Sequence, residues 1–151
     1  MMTKAKMKKS SFKIPSSEVE RIRAMVPTVA ELRDIDLARD YRAVRKNFFG
    51  NSIPPVEEVL IRFMPVNEIN RLGAADDIAG VSSFGEHRGF TTVKTLLLAD
   101  DLHACDIRIT LLHEMAHLKV NLKFGRNMGH GENWKKEMRR LAAAGAFDNW
   151  W

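Results

Sequence analysis

The chain has very little cysteine, with Cys105 as its only thiol among 151 residues. A lone cysteine excludes an internal disulfide and any zinc ribbon built from several cysteines. Long apolar runs are also missing, since no stretch approaches the roughly 20 apolar residues that span a bilayer, and the basic N-terminus lacks a signal-peptide core. We therefore expect a cytoplasmic or nucleoid-associated protein with no signal peptide and no membrane segment.

Acidic residues are absent from the N-terminus before Glu18, where the basic residues are Lys4, Lys6, Lys8, Lys9 and Lys13. These five account for the net charge of +5, because the other 19 basic residues equal the 19 acidic ones in number. A lysine-rich terminus is most often a solvated segment and less often a phosphate-binding arm. We expect residues 1–15 to be a basic disordered tail and residues 16–151 to form one domain.

A second basic region lies between residues 119 and 140, where cations outnumber two carboxylates. The cations are Lys119, Lys123, Arg126, Lys135, Lys136, Arg139 and Arg140. Such a cluster is either a solvated helix face or a patch that contacts nucleic-acid phosphates. Both interpretations stay open at this point.

Helical signals occur near both ends of the chain. Residues 17–20 and 28–31 have the S/T-x-x-E form that begins helices, and the second segment is predicted to continue to about residue 48. Later, residues 106–125 carry an apolar stripe at helical spacing and end on a glycine. A last helix is predicted from Glu132.

The middle third of the sequence favours strands. Residues 59–64, 78–84 and 91–98 are rich in β-branched and apolar side chains, and residues 85–89 are suited to a turn. These patterns predict an α+β fold. Its elements are N-terminal helices, a small, mainly antiparallel three-stranded sheet, a central helix and a C-terminal helix.

The central predicted helix contains the run His113-Glu114-Met115-Ala116-His117, an H-E-x-x-H pattern. His113 and His117 are four residues apart, so they share one helix face and can bind a single metal ion. Glu114 can then accept a proton from a zinc-bound water, whose pKa the ion lowers toward ~7. The pattern is typical of a hydrolase with one catalytic Zn²⁺.

A catalytic zinc site needs a third protein ligand and keeps one position for water. His130 is the favoured candidate, because it follows the helix closely and its glycine neighbours, Gly129 and Gly131, allow a tight approach. Glu132 and Glu137 are the alternatives, since a carboxylate also binds zinc.

Other chemically capable residues are not assigned to this site. His87 and His103 are expected to be ordinary histidines, and Cys105 a small buried side chain. Tyr41 is the only tyrosine and lies far upstream, so the sequence does not place it near a cleft.

The H-E-x-x-H helix, the Gly-His-Gly loop, Trp134 and the basic helix that follows resemble the SprT-like metallopeptidase domain, which includes the Spartan-type proteases. The likeness is strongest over residues 106–141. It implies a minimal zincin-like fold and a family substrate class of proteins crosslinked to DNA. The implied zinc ligands are His113, His117 and His130, with Glu114 as the catalytic base.

Two hypotheses of different classes follow. The first is a zinc metalloendopeptidase that cleaves a protein or peptide substrate lying along the sheet edge, with DNA-associated proteins as candidate substrates. The second is a DNA-associated binding module with a structural zinc and no protease activity, which contacts DNA through the basic tail and patch. A hydrolase of small substrates is a weaker alternative, because H-E-x-x-H does not identify the bond cleaved.

Overall fold

The computed structural model describes residues 16–25, 29–75 and 88–148. The chain divides into two compact units, Met1–Leu32 and Arg33–Trp151. The tail expected at residues 1–15, the strand expected at residues 78–84 and His87 all lie outside the described residues. The expected domain boundary near residue 15 therefore stays a prediction.

Five α-helices are described: α1 (Ser16–Met25), α2 (Val29–Val44), α3 (Val66–Ala75), α4 (Ala104–Phe124) and α5 (Glu132–Ala143). A π-helical turn, Arg45–Phe49, extends the predicted second helix past the end of α2. Shorter turns follow at Gly50–Ser52 and Val56–Glu58. None of the helices in the described ranges is both long enough and apolar enough to cross a membrane.

Helix α3 is not among the sequence predictions. Its signal is nevertheless present, because Val66, Ile69 and Leu72 recur at helical spacing directly after Pro65. Ile69 is completely buried and packs in a small cluster with side chains of the sheet. The helix thus covers one face of the sheet.

The three described strands are β1 (Leu60–Met64), β2 (Gly89–Thr91) and β3 (Thr95–Ala99), in the spatial order β1-β3-β2. β1 runs parallel to β3, whereas β2 runs antiparallel to it. The sheet is therefore mixed, and the expectation of a mainly antiparallel sheet is wrong in this respect. The physical reason is that the connection from β1 contains α3, which allows the chain to return in the same direction.

The stretch predicted as one strand at residues 91–98 contains a hairpin. The hydroxyl of Thr92 accepts the backbone N–H groups of Lys94 and Thr95 at 3.2 and 3.1 Å, which closes the turn between β2 and β3. No glycine or proline marks this turn, so the strand pattern concealed it.

The central strand β3 is buried on both faces. Leu96 and Leu98 join the main core with α4 and α2, whereas Leu97 and Ala99 face the α3 side. This alternation follows from the two-residue repeat of a strand. It fixes α4 against the sheet, and the H-E-x-x-H motif lies on α4.

We predict that Leu98→Ala lowers the free energy of unfolding by about 2–5 kcal/mol, because it leaves a cavity in the fully buried core. Leu60→Ala is the matched control, since Leu60 lies in the same sheet but is 46% exposed. Urea titration of both variants tests this difference. Equal losses would contradict the burial assignment.

Candidate metal centre

Three histidine side chains converge at one point of the structure. His113 and His117 lie one turn apart on α4, and His130 comes from the loop between α4 and α5. Their Nε2 atoms form a triangle with edges of 3.2, 3.2 and 3.1 Å. The helix end explains this approach: Gly125 adopts φ 72° and redirects the chain after α4.

This triangle has the dimensions of a zinc site. Zn–N bonds of about 2.0–2.1 Å in a tetrahedral arrangement place ligand nitrogens about 3.3 Å apart. Burial, together with the neighbouring His130, lowers the pKa of His113 to about 4, and burial also lowers the pKa of His117 strongly. The imidazoles of His113 and His117 are then neutral at neutral pH, and their lone pairs can bind a cation.

The ring orientations are held by two further contacts. His117 makes a hydrogen bond with the backbone of Gly129. This bond acts to raise the pKa of His117, as expected where a ring N–H is the donor. Because Nε2 faces the other histidines, we assign this bond to Nδ1–H, as is usual for metal-binding histidines. Trp134 lies against all three rings, with centroid distances of 4.8, 5.2 and 4.7 Å to His113, His117 and His130.

Glu114 lies beside the triangle and is almost fully buried. Its Oε1 accepts a hydrogen bond from the Thr91 hydroxyl at 2.5 Å, and its Oε2 is 3.7 Å from Nε2 of His113. Burial raises the pKa of Glu114 to about 7, although the Thr91 hydrogen bond acts in the opposite direction. A carboxyl group with this pKa can exchange a proton near neutral pH.

Strand β2 forms the wall behind Glu114. A Cβ atom at Gly89 would lie 2.5 Å from Cδ of Glu114, so no larger residue fits without displacing the carboxylate. Gly89 and Thr91 are two residues apart in one strand and therefore share a face. Neither residue is recognisable as part of the site from the sequence, because only the tertiary packing of β2 on α4 brings them there.

The two alternative third ligands are placed elsewhere. Glu132 is exposed and accepts a hydrogen bond from Arg139 at 2.9 Å. Glu137 is buried and accepts hydrogen bonds from Lys119 at 2.9 Å and from Arg140. Neither carboxylate belongs to the histidine cluster.

The remaining candidates are also outside the cluster. His103 is exposed at the N-terminal end of α4. Tyr41 is fully buried and its hydroxyl donates to the carbonyl of Pro54 at 2.7 Å, so its role is structural. Cys105 is exposed, and the expectation that it would be buried is wrong, because it lies in the first turn of α4 ahead of the packed part of that helix.

The predicted basic patch is divided among several surroundings. Lys119, Lys123, Lys136 and Arg140 line a cavity of about 300 Å³ between α4 and α5, together with Val120 and Phe124. Two of these cations, Lys119 and Arg140, are paired with Glu137. The other patch residues, Arg126, Lys135 and Arg139, are exposed outside this lining.

Comparison with known families agrees with this site. The model of the SprT-like family matches residues 42–149. The chain belongs to the SprT-like family. The matched region contains all three strands and the entire histidine cluster, so the resemblance seen in the sequence is confirmed over the described core. No curated protein and no solved structure matches this SprT-like chain.

We predict that His130→Ala weakens zinc affinity by more than about 100-fold, because it removes one of three converging nitrogens. Loss of a residue that only hydrogen-bonds to a metal ligand lowers the metal affinity by roughly 10–100-fold. His103→Ala is the control, since His103 is an exposed histidine outside the cluster. Competition with a zinc chelator measures both affinities, and an unchanged affinity in His130→Ala would exclude His130 as a ligand.

Proposed function

We propose that this SprT-like protein is a zinc-dependent metalloendopeptidase with Glu114 as its general base. One observation carries the proposal: a buried carboxylate lies next to three converging imidazole nitrogens without belonging to their triangle. A structural zinc site would be closed by four protein ligands, whereas three leave a position for chemistry. The binding-module alternative does not account for the buried carboxylate.

The residues divide the reaction between them. His113, His117 and His130 would hold the zinc, which when bound polarises a carbonyl and makes water a better nucleophile. Glu114 takes a proton from the attacking water as its oxygen bonds to the scissile carbon. The same carboxyl group then gives that proton to the amine nitrogen as the C–N bond breaks.

The substrate would lie along the outer edge of β2. Arg88 and Thr92 form backbone hydrogen bonds to β3 on either side of this strand, at 2.9 and 2.8 Å. In an antiparallel ladder the inward-bonded residues alternate with outward ones, so the backbone groups of Gly89 and Thr91 point away from β3. The Thr91 carbonyl accepts a hydrogen bond from Asn121 at 3.4 Å, so an added peptide would pair with the backbone of Gly89 and with the N–H of Thr91. An extended peptide can add to such an edge beside Glu114.

The opposite edge of the sheet is less suited to this role. The backbone N–H of Phe63 in β1 donates to the Asp34 carboxylate of α2 at 2.8 Å. A side chain also binds the β2 edge, where Asn121 donates to the Thr91 carbonyl at 3.4 Å. The two edges are distinguished by the strand order, because β3 lies between β1 and the strand that carries Gly89 and Thr91. Of the two edge strands in the described part of the sheet, β2 is the one that contacts Glu114, through Thr91 and Gly89.

We predict that Glu114→Gln reduces kcat for an unfolded protein such as casein by about 10²–10⁴-fold, the usual contribution of a general base. Zinc content should stay at the wild-type level, because Glu114 is not a ligand. Glu132→Gln serves as the matched control and should keep its activity. Equal turnover by Glu114→Gln and wild type would refute the proposed mechanism.

DNA association is a second candidate function, and the cavity between α4 and α5 favours it. Lys123 and Lys136 line this cavity and are exposed. The other two cations of the lining, Lys119 and Arg140, are paired with Glu137. The exposed ring of Phe124 lies next to Lys123, whose Nζ is 5.7 Å from the ring centroid. Cations next to an exposed aromatic ring are suited to a single strand, because phosphates pair with the cations and bases stack on the ring.

We predict that the double variant Lys123→Gln/Lys136→Gln lowers the salt dependence of single-stranded DNA binding. Each lost phosphate contact should reduce the slope of log K against log salt by about 0.7. A control with the same charge change is Lys46→Gln/Lys94→Gln, at two exposed lysines outside the cavity. An identical slope in both double variants would show that attraction is not localised to this cavity.

A further inference from the structure

Asn121 is a completely buried amide on α4, one turn beyond His117. Its Nδ2 donates to the backbone carbonyl of Thr91 at 3.4 Å, and its Oδ1 accepts the backbone N–H of Met128 at 2.9 Å. Buried polar groups are retained when their hydrogen bonds are satisfied. Both ends of this amide are used, and they bind two different segments of the site.

The first bond supports the wall behind the general base. Thr91 is the last residue of the short strand β2, and its hydroxyl donates to Oε1 of Glu114. The bond from Asn121 holds the Thr91 backbone from which that hydroxyl projects. Asn121 therefore restrains the position of Glu114 through Thr91, without contacting the carboxylate.

The second bond supports the loop that carries the third histidine. Met128 lies two residues before His130, and it is followed by Gly129, whose backbone binds His117. The backbone carbonyl of Asn121 also accepts the N–H groups of Gly125 and Arg126. One residue thus fixes both the beginning of the loop and the approach to His130.

We propose that Asn121 is a positioning residue that sets the general base and the third metal ligand relative to one another. Its amide is suited to this role because it presents a donor and an acceptor that point in different directions from one carbon atom. An alanine would leave the Thr91 carbonyl and the Met128 N–H without these partners. The part of the proposal that concerns the base rests on the proposed peptidase function, whereas the part that concerns the ligand loop does not.

The test compares variants that separate the two branches. Asn121→Ala removes both bonds and should weaken zinc affinity about 10–100-fold, the usual cost of an outer-shell partner, while lowering kcat with little change in KM. Thr91→Val removes only the hydroxyl and should lower kcat with zinc affinity unchanged. Thr91→Ser restores a hydroxyl and should recover kcat.

Two further variants control for loss of stability and for failure to fold. Val44→Ala removes fully buried volume in α2, a helix that carries none of the three histidines, and should lower the Tm without changing zinc affinity. Asn121→Asp keeps an acceptor for Met128 but loses the donor to Thr91. It should retain zinc affinity close to wild type and show a reduced kcat, so it tests the proposal even where Asn121→Ala does not fold.

The readouts are zinc affinity by chelator competition, Tm, and kcat and KM on casein. Wild-type zinc affinity in a folded Asn121→Ala protein would overturn the proposal, as would equal losses of affinity in Asn121→Ala and Val44→Ala. In Asn121→Asp, loss of zinc affinity equal to that of Asn121→Ala would also overturn it. Should wild type cleave nothing, the proposed function fails, and the zinc measurements still decide the role of Asn121 in the ligand loop.

Discussion

The close contact between strand β2 and helix α4 is the constraint on which the rest of the structure depends. Glu114 is packed so tightly between them that Gly89 has no room for a side chain. A carboxylate in such a place loses solvation, and one hydroxyl, from Thr91, compensates it only in part. The same contact brings the β2 edge of the sheet to the helix that carries His113 and His117, so the geometry of Glu114, these histidines and the sheet edge has one origin.

The local parts of the site could be predicted from the sequence, and the parts made by tertiary contact could not. The four-residue spacing of His113 and His117 determines their common helix face, and the glycines around His130 indicated a loop able to fold back. Gly89 and Thr91 gave no such signal, because a hairpin without glycine or proline in its turn resembles one continuous strand. Asn121 was equally concealed, since a single asparagine in a helix says nothing about the segments on either side of it.

The fold shows a similar division. Helix α4 lies close to its predicted limits, because its apolar stripe and Gly125 mark them, and α5 begins at the predicted Glu132. The parallel pairing of β1 with β3 depends on the path of the chain through α3, which is a long-range property. Membership of the SprT-like family agrees with the site chemistry, but the family alone names neither a substrate nor a partner for this chain.

Trp134 has a consequence beyond packing. The centroid of its indole ring lies 4.8, 5.2 and 4.7 Å from those of His113, His117 and His130. The indole stacks nearly parallel on His117, with an interplanar angle of 15°. A change in charge on the imidazole rings therefore alters the electrostatic field at the indole π-system. The indole is therefore a built-in optical probe of the histidine cluster, because its emission depends on the charge carried by the rings packed against it.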